Sequence, residues 1–87
     1  MNTTHQNFKQ TLDQTHTWPC QYMFKFIVPA YRKKEVLELF QEDDAISTRI
    51  SRNGQYISVT AKCRMHSSEE VIAVYEAASG IQGIVSL

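Results

Sequence analysis

Three features of the 87-residue sequence predict a ferredoxin-like α+β sandwich, a four-stranded antiparallel sheet with two helices on one face. An aromatic, β-branched run of strand length is followed by a stretch with helical spacing. Two alternating runs flank Asn53-Gly54. A second amphipathic helix then leads into a last short apolar run. The order strand, helix, strand, strand, helix, strand is the split βαβ plan.

Residues 1–17, MNTTHQNFKQTLDQTHT, are rich in Thr, Gln, Asn and His. They read as a flexible polar arm, with one marginal helical turn docked through Phe8 and Leu12, which stand four apart. Apolar density rises at Trp18, so the folded domain is expected over 18–87. Trp18, ahead of Pro19, reads as an apolar plug over one end of the core.

The first strand is Gln21 to Val28, QYMFKFIV, ending at Pro29. Alternation assigns Tyr22, Phe24, Phe26 and Val28 to one face and Met23, Lys25 and Ile27 to the other. In RKKEVLELFQED, Val36, Leu39 and Phe40 have helical spacing with charges between them, which predicts an amphipathic helix. Ala30 and Tyr31 give it no good N-cap. Asp43 and Asp44 read as its solvated exit.

Asn53-Gly54 predicts a two-residue type I′ turn. Counting outward pairs Ile50 with Ile57, Thr48 with Val59 and Ile46 with Ala61 on an apolar face. Ser51 with Tyr56, Arg49 with Ser58 and Ser47 with Thr60 form the polar face, so turn and pattern give one register. Ser67-Ser68-Glu69-Glu70 fits a capping box, with Ser67 as N-cap. Val71, Val74, Tyr75 and Ala78 form the buried stripe of that helix, and Gly80 suits its end. Ile81 to Leu87 closes the sheet, Gly83 marking an irregular edge.

Composition narrows function. Nine Lys/Arg offset nine Asp/Glu. That balance argues against general nucleic-acid or anionic-membrane binding, each of which draws on a net basic field. No apolar run is long enough to span a membrane, and the first residues lack a signal peptide's apolar core. A cytoplasmic protein is the expectation. Two cysteines do not make a disulfide scaffold. A domain this small is marginal alone, and dimerisation would help stabilise it.

Charge is segregated within the balance. Lys25, Arg49, Arg52, Lys62 and Arg64 lie in the first three strands or their turn, and no acid falls between Ala45 and Ser68. Every acid except Asp13 lies within or beside a predicted helix. Alternation puts Lys25, Arg49, Tyr56 and Lys62 on the sheet face away from the helices. Such a face suits a small anion, an acidic partner or single-stranded RNA. RNA readers of this topology stack bases on aromatics of the open face, whereas here only Tyr56 is left outside. The plain alternative is a solvated face whose long cations deter aggregation.

Cys20 and Cys63 fall on strands predicted to be neighbours, with His66 close by and His16 on the arm. Together they suggest a metal or redox site, since zinc takes four tetrahedral thiolate or imidazole ligands. Neither Cys-x-x-Cys nor His-x-x-x-His spacing is present, and cysteine is also a common small buried hydrophobe. No Gly-x-Ser-x-Gly elbow or Gly-rich phosphate loop occurs. The expectation is a non-enzyme without a cofactor.

Trp18-Pro19, then Y-M-F-K-F with Lys25 mid-strand, G-Q-Y-I-S-V-T at Gly54 to Thr60, E-E-V-I-A-V-Y-E at Glu69 to Glu76 and the ending I-Q-G-I-V-S-L resemble the YbeD-like family. That is a family of small bacterial proteins of uncharacterised function, and the resemblance spans about residues 18–87. It implies a ferredoxin-like fold similar to ACT domains, regulatory modules that often dimerise and bind amino acids. The junction after the first strand reads V-P-A-Y-R instead of the Gly-containing loop of ACT ligand sites, so amino-acid binding does not carry over. The expected function is a non-catalytic regulatory module that binds a protein partner or a small anion.

Overall fold

The computed structural model describes residues 3–41 and 44–87. Along the chain lie α1 (Thr3–Thr15), β1 (Cys20–Pro29), a 3-10 turn (Ala30–Arg32) leading into α2 (Lys33–Leu37), β2 (Ala45–Ile50), β3 (Tyr56–Met65), α3 (Ser68–Ala78) and β4 (Val85–Ser86). The strands are ordered β2-β3-β1-β4 and every neighbouring pair is antiparallel. This is the expected α+β ferredoxin-like arrangement, with α1 added ahead of it.

The centre of the sheet is the long β1–β3 ladder, running from Cys20 opposite Met65 to Pro29 opposite Tyr56. Its period-two pattern decides what is buried. Phe24, Phe26 and Val28 from β1 join Ile57, Val59, Ala61 and Cys63 from β3 in the core. Burying each large apolar side chain contributes roughly 1.5–3 kcal/mol. α3 covers this face with Val71, Ile72 and Ala78, and α2 adds Val36. Aromatic rings fill the middle: the Phe24 centroid is 4.8 Å from Tyr22, 5.3 Å from Tyr75 and 5.7 Å from Phe40.

The N-terminal segment carries more helix than the single turn the sequence predicts, 13 residues in α1. Phe8 and Leu12 do anchor it: Leu12 is buried, and the Phe8 ring meets Tyr75 edge-on at 5.7 Å. Lys9 adds ion pairs to Asp13 at 2.9 Å and to Glu69 on α3 at 3.6 Å. Tertiary anchoring of this kind sustains a helix that polar propensity alone would not. Trp18 packs against the core, and its indole N–H donates to Asp13 Oδ1 at 3.0 Å.

The helix expected over 32–43 is reduced to the five residues of α2. Its N-terminus lacks a side-chain cap, and after Leu37 the chain tightens into three-residue turns, Leu39 N–H to Val36 O and Phe40 N–H to Leu37 O. Leu39 and Phe40 still pack on the core from those turns. Glu42, near the end of the expected helix, and Asp43, the first residue of its expected exit, lie outside the described residues.

The hairpin register is the predicted one, Ile50 opposite Ile57 through Ile46 opposite Ala61. Its turn is not type I′, because Gly54 has positive φ (77°) and Asn53 does not. Ser51 N–H bonds Tyr56 O at 2.8 Å and Gly54 N–H returns to Ser51 O at 2.9 Å, giving a four-residue loop. The Asn53 side chain decides this: Oδ1 accepts from Gln55 N–H at 3.1 Å and Ser51 Oγ–H at 2.9 Å. Such local side-chain bonds stabilise open turns over the tightest ones.

α3 starts at Ser67, whose Oγ accepts from Glu70 N–H at 3.2 Å. The Glu70 carboxylate returns one residue further back than a capping box specifies, to His66 N–H at 2.8 Å. The closing strand is shorter than predicted, two residues in β4. Gly83 explains why: it has φ 81°, and a Cβ there would meet Pro29 Cγ at 2.9 Å. Ile81 to Ile84 form a turn folded against β1, and pairing begins only at Val85.

Candidate functional site

β1 and β3 expose on their outer face the residues that alternate with the core. Crossing the sheet from β2, one row reads Ala45, Lys62, Met23 and the next Ser47, Thr60, Lys25. A third reads Arg49, Ser58, Ile27, Val85, and Tyr56 stands opposite Pro29 beyond it. Lys25, Arg49, Tyr56 and Lys62, the sequence-predicted candidates, are all exposed on this face. Arg64 joins them by the same parity.

The four strands contain no Asp or Glu, and their charged residues are Lys25, Arg49, Lys62 and Arg64. Among the described residues none of these cations has a carboxylate within ion-pair distance. Strand spacing puts the Lys25 and Lys62 backbones roughly 8 Å apart and Lys25 and Arg49 roughly 12 Å apart. The charges are spread over an area and do not converge on one point.

Apolar side chains share the face, which the sequence reading did not single out. Met23, Val85 and Leu87 are more than half exposed. The signal is present in the alternation of β1, which puts Met23 and Ile27 beside Lys25 on the outer face. Near the hairpin, Ile27, Arg49, Ile50, Arg52 and Tyr56 line an open groove of about 750 Å³. Ile50 is 61 % exposed although it belongs to the helix-side face of β2. The short α2 does not cover it.

The proposed thiol and imidazole set is not gathered. Cys20 stands opposite Met65 and Cys63 opposite Tyr22, so the two sit diagonally on the core side of neighbouring strands. Both are free thiols. Cys63 is buried, and that burial, with the Asp44 carboxylate second, pushes its thiol up to about 12. A buried thiol held this far from ionisation is a poor nucleophile. His66 is exposed and lies 3.4 Å from Glu70 Oε1, while His16 is engaged by the Trp18 and Tyr22 rings. Among the described residues, no three His, Cys, Asp or Glu side chains are placed to hold a metal ion.

The aromatic residues of β1 are committed to the interior. Tyr22 and Tyr75 share a hydroxyl–hydroxyl hydrogen bond at 3.2 Å, and burial raises the Tyr75 hydroxyl above its ordinary value. Tyr56 is left as the aromatic ring of the outer strand positions, 48 % exposed. A ladder of stacking rings is therefore missing from the described part of the open face. Among the described residues no helix is long and apolar enough to cross a membrane.

No curated protein and no solved structure matches the chain. A family model described as a protein of unknown function, DUF493, matches residues 13–87. The match begins within α1 and takes in every strand, including all the outer-face cations. The chain belongs to the DUF493 family, the YbeD-like proteins.

Proposed function

We propose that this protein is a non-catalytic binding module whose open sheet face docks an acidic surface of a protein partner. One observation carries the reading: every charge on the four strands is positive, and all of them lie on the face the helices leave open. Structural cations on a solvated face are ordinarily interspersed with acids. Spacing favours an extended partner over one compact anion, because the cations are spread across three strands. Exposed Met23 and Val85, with half-buried Ile27 between them, supply the apolar contacts that a protein interface adds to its charges. A small anion remains the lesser ligand of the same face, held by one or two of its cations.

The test is capture of partners from cell extract on the immobilised protein, compared with the Arg49→Glu, Lys62→Glu double variant. Loss of the captured proteins with little change in melting temperature is the expected result. Undiminished capture by the double variant removes the proposal.

A further inference from the structure

We propose that the docking mode is strand addition: β2 takes an extended partner segment in which acidic and apolar residues alternate. This rests on the sheet-face reading above and specifies how the partner is held.

β2 is a free edge six residues long, without proline and with Arg49 its one charged residue. The opposite edge, β4, is two residues long and offers little template. The Ser51–Tyr56 hydrogen bond sets the phase of the β2–β3 ladder. Hydrogen-bonded pairs recur every second residue, so Arg49 with Ser58 and Ser47 with Thr60 are bonded inward. Ile46, Thr48 and Ile50 consequently direct their backbone N–H and C=O groups out of the sheet, toward solvent. Native proteins commonly blunt such an edge.

The side chains beside that edge differ by face. On the helix side stand Ile46, Thr48 and the exposed Ile50. On the open side stands Arg49, with Lys62 on the next strand. An incoming strand has the same period of two. Its residues on one face meet the isoleucines, and those on the other meet the cations. Apolar residues suit the first set and Asp or Glu the second, the backbone giving affinity and the alternation giving specificity. Opposite charges directly across a strand pair stabilise it and like charges oppose it.

The experiment uses a fluorescein-labelled synthetic peptide, one strand long, of alternating valine and glutamate, and a counterpart with lysine for glutamate. The glutamate peptide should bind, shift the amide resonances of Ile46, Thr48 and Ile50, and outcompete the lysine one. Thr48→Pro removes an outward N–H without touching the β2–β3 ladder and should weaken binding roughly tenfold or more. N-methylation of alternate peptide residues should do the same with the protein unaltered, which covers failure of Thr48→Pro to fold. Absent binding of the glutamate peptide, equal binding of both peptides, or binding indifferent to N-methylation overturns the inference. A concentration-dependent dimer dissolved by Thr48→Pro identifies a second copy as the occupant and overturns it too. Partner capture lost on reversing Arg49 and Lys62 but kept by Thr48→Pro overturns edge addition while leaving the sheet-face reading intact.

Discussion

The two faces of the sheet are made from alternate residues of the same strands and have opposite chemistry. On β1, Phe24, Phe26 and Val28 are buried while Met23 and Lys25 are exposed. On β3, Val59, Ala61 and Cys63 are buried while Tyr56, Lys62 and Arg64 are exposed. The inner set meets two helices and an aromatic cluster, and the outer set meets water. Core packing and the proposed recognition surface thus fall at separate positions one residue apart, so each can be altered with the other held.

The largest contrast comes from truncating one residue of each set. Phe24→Ala opens a cavity among four rings and should cost about 3–5 kcal/mol, whereas Lys62→Ala should change stability by less than about 0.5 kcal/mol. Urea denaturation of both variants measures this. Comparable losses would mean that the outer face is part of the structural frame.

A smaller effect tests whether the inner layer depends on α3 being started correctly. Ser67→Ala removes the acceptor of Glu70 N–H and should cost about 1 kcal/mol, read as a lower urea midpoint at unchanged slope. No change would show that the His66–Glu70 bond alone fixes the start of the helix.

The smallest effect is pH dependence. The His66 backbone N–H holds the Glu70 carboxyl below its ordinary value of 4.5. A depressed folded-state value means stability that is present above 4.5 and lost as pH falls through the lower folded value. The melting temperature should fall over that acid range, and Glu70→Gln should flatten the fall slightly. An identical acid limb in Glu70→Gln would remove this contribution.

These contrasts follow how the fold was legible in the sequence. Hairpin register and the faces of β1 and β3 depend on period-two alternation, which tertiary packing reinforces. The turn departs from the type I′ form that Asn-Gly permits because the Asn53 side chain has better partners in the longer loop. α2 and β4 fall short of their expected lengths for a related reason. Apolar spacing marks what reaches the core, as Leu39, Phe40 and Ile81 do, and not which hydrogen-bond pattern carries it there. The candidate face was legible as charge and parity. Its apolar half was less so, because Ile50 reads as a core residue until the length of α2 is known.

The separation of charge between layers has a consequence for encounter at a distance. Asp13, Glu35, Glu38, Glu69, Glu70 and Glu76 lie on the helices or at their ends, opposite the acid-free strands. A chain of zero net charge is thereby folded into an electric dipole normal to its sheet. A dipole's field decays faster than that of a net charge, and salt confines it further, to about 8 Å at physiological strength. The molecule therefore does little to gather partners from bulk solution. On the proposed docking mode the dipole would act in the last steps of approach, favouring the orientation in which a nearby acidic surface faces the sheet and not the helices.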